Sequence, residues 1–160
     1  MNIQEYNQAV DQFADGLYRF ALKSINDSDM AHDFVQDAFE KLWIKLETVE
    51  NAKSYLFTTV YHAIVDHSRK EQRTRVYAEQ VDRNPVSELQ AIDLHEILNK
   101  GLNEMSEIQR NVVLLRDYEG YSYQEIGEIM NLSESQVKVY LHRARLFLKT
   151  KLLELEKVNA

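Results

Sequence analysis

The stretch SYQEIGEIMNLSESQVKVYLHRARLFL, residues 122–148, decides the fold. Set against a helix-turn-helix template, its apolar positions are Ile126, Met130, Leu132, Val137 and Tyr140. Gly127 stands where the first helix must approach the second closely, and Asn131 falls at the turn, where asparagine tolerates a positive φ. Ser122-x-x-Glu125 and Ser133-x-x-Gln136 are capping boxes, one opening each helix. Two capped helices, a short turn and a tight glycine contact specify the motif.

The second helix carries the charge that such a motif needs. Lys138, Arg143, Arg145, Lys149 and Lys151 lie between Ser135 and Lys151 with no acidic residue among them. Taken alone, the run would fit a solvated basic face. On a recognition helix it fits DNA: Ser133, Glu134, Ser135, Lys138 and His142, near the N-terminus, would face base edges. Arg143, Arg145 and Lys149 would face phosphates, which position without specifying.

The 160 residues suit one medium domain or two small ones. One proline, four glycines and long Leu/Ile/Glu/Lys/Gln-rich segments with helical periodicity predict an all-α protein. Without cysteine there can be no disulfide and no thiolate metal site. The N-terminus lacks the basic and apolar runs of a signal peptide and no stretch approaches a membrane span, so a soluble cytoplasmic protein is expected. The net charge of −7 is awkward for a DNA binder. Residues 1–50 and 76–109 are acidic, however, while 51–75 and 110–153 are basic. Affinity for DNA depends largely on phosphate neutralisation, so this chain should bind DNA weakly unless a partner brings it there.

Residues 4–24 read as a first helix, and Asn26-Asp27-Ser28-Asp29 as a break with Asp29 a plausible N-cap. From Met30 to Leu46 a two-faced helix gathers Val35, Ala38, Phe39, Leu42 and Leu46 on one side, with Asp33, Asp37 and Glu40 opposite. An ordinary amphipathic helix would look the same, except that Ile44 projects into the acidic face, as a docking surface for a basic helix would require. A third helix, Lys53 to about Gln72, buries Leu56, Phe57, Val60 and Ile64. Its other face shows Tyr55, Thr58, Thr59, His62, Asp66 and Arg69, running into Lys70, Arg73 and Arg75. That face fits single-stranded nucleic acid and a solvated helix end equally well. His62 and Asp66 lie four apart but find no third ligand, so neither metal nor cofactor is expected. Residues 74–94, carrying Pro85, read as a linker between domains 1–73 and 95–160. Helical periodicity resumes at Leu94, Ile97, Leu98 and Leu102, Ser106-x-x-Gln109 opens a further helix ending near Gly120, and Leu152–Ala160 reads as a frayed tail.

Two small helical domains, the second ending in a helix-turn-helix, resemble the bacterial RNA polymerase sigma factors of the extracytoplasmic-function group, which keep only regions 2 and 4. LYRFA at 17–21 resembles region 2.1, DFVQDAFEKLW at 33–43 region 2.2, and SYLFTTVYHAIVDHSRK at 54–70 regions 2.3 and 2.4. Residues 102–145 resemble region 4, the most specific of the four. The resemblance implies docking on the β′ clamp helices and β flap of core polymerase, with Asp33, Gln36, Asp37, Glu40 and Ile44 on the β′-facing surface. It implies recognition and melting of the −10 element by the loop 48–53 and by Lys53, Tyr55, Thr59, His62, Arg69, Lys70 and Arg73. It implies reading of the −35 duplex by Ser133, Glu134, Ser135, Gln136, Lys138, His142, Arg143 and Arg145. An anti-sigma factor is an expected second partner, and the free chain is expected to be monomeric. Tyr61-His62 stands where many relatives carry Arg-Asn, which changes the −10 contacts. An autonomous DNA-binding regulator, with residues 1–75 for dimerisation or sensing, is the second reading; tight duplex binding without polymerase would favour it. A hydrolase using His62 and Asp66 is the third.

Overall fold

Asn2 opens the chain's first helix by accepting from the Glu5 amide (2.8 Å), while the Glu5 carboxylate accepts from the Asn2 amide (2.8 Å). The computed structural model describes residues 1–77 and 94–158, and every regular element among them is helical. They are α1 (Ile3–Ile25), α2 (Ser28–Ile44), α3 (Ala52–Tyr77), α4 (Leu94–Glu104), α5 (Glu107–Val113), α6 (Tyr123–Met130) and α7 (Glu134–Val158). Leu114–Tyr118 continues α5 as a single wide π turn. The expected linker has its centre, Pro85 included, outside the described residues.

The first three helices form one bundle. Leu17, Phe20, Ala21, Ala38, Leu42, Leu56, Phe57, Val60 and Ile64 are buried in its centre. Asp27, rather than Asp29, caps α2, its carboxylate accepting from the Met30 amide (3.1 Å). In a run of four capping residues the first one free of α1 wins, because Asn26 is already used: it closes α1 in the left-handed region at φ 57°. Helix α2 accordingly ends at Ile44 and leaves Leu46 in a turn. Asn51 caps α3, and that helix runs to Tyr77, past the expected boundary at 73.

In the second half, both predicted capping boxes of the helix-turn-helix are formed. Ser122 and Glu125 exchange bonds of 3.1 and 3.2 Å, and Ser133 and Gln136 bonds of 3.1 and 2.9 Å. Of the box at Ser106, the hydroxyl half is formed, accepting from the Gln109 amide at 3.4 Å. Asn131 has φ 55°, as its place in the turn requires. A Cβ on Gly127 would lie 2.5 Å from the Leu132 carbonyl oxygen, so the close approach is to the turn itself. Gly127→Ala should lower stability by ~1–3 kcal/mol, the usual cost of forcing backbone apart, read as a drop in the urea midpoint at unchanged slope. The tail does not fray at Leu152: α7 continues to Val158. It is held by Lys151, paired with Glu104 at 2.8 Å, and by Leu148 packed over Gly101.

The two halves lie against each other, α1 on α4, α5 and the π turn, and α3 on α6. The seam combines polar bonds with ring contacts such as Phe57 on Tyr121. Arg19 makes a two-pronged bond to Glu119 (3.0 and 3.1 Å), which holds the guanidinium charged. Arg110 donates to the carbonyls of Leu102 (2.7 Å), Asn103 (3.4 Å) and Met105 (3.0 Å), closing the end of α4. Its remaining arm reaches the Ser24 carbonyl on α1 at 3.0 Å. The buried Ser24 hydroxyl donates to Asn111 Oδ1 at 2.7 Å, while Asn111 Nδ2 is buried without a partner. An orphaned donor costs about 1–3 kcal/mol, a penalty that this seam carries.

Candidate nucleic-acid interface

Helix α7 meets its own domain through Val137, Leu141 and Ala144, all buried. The 3.6-residue period then turns Ser135, Lys138, His142 and Arg143 outward, and all four are exposed. Ser133, Glu134 and Gln136 are exposed at its N-terminal end. Ser133 and Gln136 are spent on each other's backbone, so their side chains hold the helix start. Of the predicted −35 set, Ser135, Lys138, His142 and Arg143 thus share the outward side of α7, and Arg145 is engaged elsewhere. Arg145 is bound two-pronged to Asp117 (2.6 and 3.0 Å), a pairing that also holds its charge. It braces α7 against the π turn rather than standing free for a phosphate. Tyr123 receives two cations, Arg116 at 4.5 Å and Lys138 at 5.5 Å from the ring centre.

The predicted −10 set divides in two. His62, Arg69, Lys70 and Arg73 are exposed along α3. Tyr55 and Thr59 are half-buried, and the Thr59 hydroxyl donates back to the Tyr55 carbonyl at 2.7 Å, so it remains only as an acceptor. Lys53, at the start of α3, is paired with Glu125 of the helix-turn-helix and lies 4.0 Å over the Tyr121 ring. One turn on, Phe57 meets the same ring edge-on at 4.9 Å. Burial, with Glu119 and Glu125 nearby, raises the Tyr121 hydroxyl pKa, so the ring stays neutral. The first helix of the DNA-reading motif therefore holds a residue of the other candidate site. Sequence reasoning missed Tyr121, whose only local signal is an aromatic after Gly120.

The bond from Lys53, helped by those from Ser122, lowers the Glu125 pKa below its ordinary 4.5. A depressed carboxylate stabilises fully above its unfolded value and loses that contribution as pH falls through the folded one. Between pH 5 and 3, Glu125→Gln should therefore show a flatter dependence of urea stability on pH than the unaltered chain, which titration at several pH values would read.

On α2, Asp33, Gln36, Asp37 and Glu40 are all exposed, and no ion pair among the described residues engages them. Ile44 is 80% exposed beside them. Trp43, missed in the sequence, is 47% exposed and leans edge-on against Tyr6 at 5.1 Å. An exposed tryptophan next to an exposed isoleucine is the kind of anchor that protein interfaces use. Among the described residues no group of His, Asp and Glu could hold a metal, and no helix is long and apolar enough to cross a membrane.

The family descriptions "Sigma-70 region 2" and "Sigma-70, region 4" match residues 9–74 and 95–148. The chain belongs to the sigma-70 family. It is similar to the ECF RNA polymerase sigma factor SigM of Bacillus subtilis, 28% identical over 156 residues that span 93% of this chain and 94% of that one. It is likewise 28% identical to the RNA polymerase sigma-E factor of Streptomyces coelicolor, over 94% of this chain and 88% of that one. Among solved structures, the sigma factor RpoE in complex with the anti-sigma factor NepR from Bartonella quintana superposes with a TM-score of 0.76 at 28% identity, covering 94% and 98% of the two chains. CnrH in complex with the cytosolic domain of CnrY shares the fold, with a TM-score of 0.70 at 20% identity over 96% and 90%. This sigma factor serves transcription initiation and is of the extracytoplasmic-function type.

Proposed function

We propose that the two halves divide the work of initiation. Residues 1–73 dock on core polymerase through Asp33, Gln36, Asp37, Glu40 and Ile44, and take the −10 element with Lys53, Tyr55, Thr59, His62, Arg69, Lys70 and Arg73. Residues 95–160 read the −35 duplex through the exposed face of α7, and 74–94 join the two. The observation that carries this reading is the pairing of an outward-facing, cation-bearing recognition helix with an unpaired acidic face tipped by Ile44. The chain acts by binding, and its place is where core polymerase and promoter DNA are. An anti-sigma factor, such as the NepR that accompanies RpoE, is a fitting second partner.

Energetics favour action within a complex. Stacking is worth ~1.4 kcal/mol per step, so opening about five steps costs roughly 7 kcal/mol. Stacking a flipped base on an aromatic returns only ~1–3 kcal/mol. A protein of net charge −7 does not close that gap alone; a basic polymerase channel has to supply the rest. Runoff transcription by core polymerase on a library of promoter fragments tests the reading. Enrichment of a shared −10 and −35 pair upon adding the chain supports it, and initiation no more selective than core alone refutes it.

A further inference from the structure

Val139 sits at the centre of the outward face of α7. At about 100° per residue, Ser135, His142 and Arg143 lie within about 60° of it, and buried Val137, Leu141 and Ala144 lie opposite. It is 47% exposed, an apolar side chain set among Ser135, His142 and Arg143 with about half of its surface in water. A β-branched residue there lowers helix propensity and leaves apolar surface in water, with no return inside the fold. Farther round the helix, Lys138 leans toward Tyr123 and Arg145 is tied to Asp117.

We infer that Val139 is a specificity-determining residue that reads the C5-methyl group of a thymine in the −35 duplex; the inference rests on the −35 role proposed for α7. Height along the helix fits. Val139 lies five residues past the start of α7, about 7.5 Å along it at 1.5 Å per residue, among the N-terminal residues that a helix lying in the major groove presents to base edges. Leu146, equally apolar and exposed, lies about 18 Å along, beyond the end that enters the groove. Chemistry narrows the target to one group. The valine side chain neither donates nor accepts, and every major-groove feature of the four base pairs is a donor or acceptor except the thymine methyl. Ser135, His142 and Arg143 around it are left to read the hydrogen-bonding edges.

The test uses the full chain assembled with bacterial core polymerase. Its preferred −35 element is first selected from a randomised library, then each thymine on either strand is replaced singly by deoxyuridine, which lacks only the methyl. One thymine should lose about fourfold in open-complex formation, the worth of one buried methyl group, and the others little. Val139→Ala should lose a similar factor on unmodified DNA and nothing more on the uridine version, while Val139→Ile should keep the sensitivity. A selected element with no methyl-dependent position, or a uridine penalty unchanged in Val139→Ala, overturns the inference and leaves the role of α7 standing. A selection that yields no −35 preference at all overturns both.

Discussion

Asp37→Arg should reduce promoter-specific transcription by tenfold or more while leaving the fold intact. Asp37 is exposed in the middle of the acidic face of α2, with Asp33 a turn before it and Glu40 a turn after. It makes no ion pair among the described residues, so reversing its charge removes nothing from the folded chain. Surface substitutions of that kind usually stay within about 0.5 kcal/mol. At an interface with a basic partner helix the same change places like charges together, a cost of several kcal/mol. Titration of core polymerase with labelled chain, beside a thermal melt, separates the two effects. Weaker assembly with an unchanged melt is expected; normal assembly by the Asp37→Arg chain would remove α2 from the docking role. Ile44→Ser should act in the same direction and more weakly, because it removes apolar area without introducing repulsion.

The sequence carries the local half of this molecule and little of the long-range half. Capping boxes, the left-handed Asn131 and the tight Gly127 are each decided within a few residues, and the helix-turn-helix is legible for that reason. The periodicity of α3 likewise marks Leu56, Phe57, Val60 and Ile64 as core. Arg145 shows the limit. Within its own segment it is one more cation in a basic run, and only the fold brings Asp117, 28 positions earlier, against it. The seam between the halves is further beyond reach. Arg19 and Glu119 are 100 positions apart, and Ser24 and Asn111 are 87 apart, so no periodicity links them. Tail and cap errors are of another kind. Lys151 finds Glu104 and keeps α7 helical to Val158, and at Asn26–Asp29 four competent caps compete for one place.

Locking the seam should silence the protein. The −10 and −35 elements are centred about 25 base pairs apart, about 85 Å along B-form DNA at 3.4 Å per pair. A packed chain of this length has a radius of gyration near 15 Å, and so spans only about 40 Å. With α3 against α6, the two candidate DNA faces cannot lie on both elements together, and Lys53 is held by Glu125. Productive binding therefore needs the halves apart. Their seam is suited to parting, because the unpartnered Asn111 Nδ2 gains water on opening. The chain has no cysteine, so Arg19→Cys with Glu119→Cys gives a single site for a short bismaleimide bridge, clear of every residue proposed to touch DNA or polymerase. The reduced double variant should initiate about as well as the unaltered chain, and the bridged one at least tenfold less, in runoff transcription with core polymerase. Full activity in the bridged chain would mean that promoter DNA is engaged by the packed form, and the division of the two elements between the halves would fall.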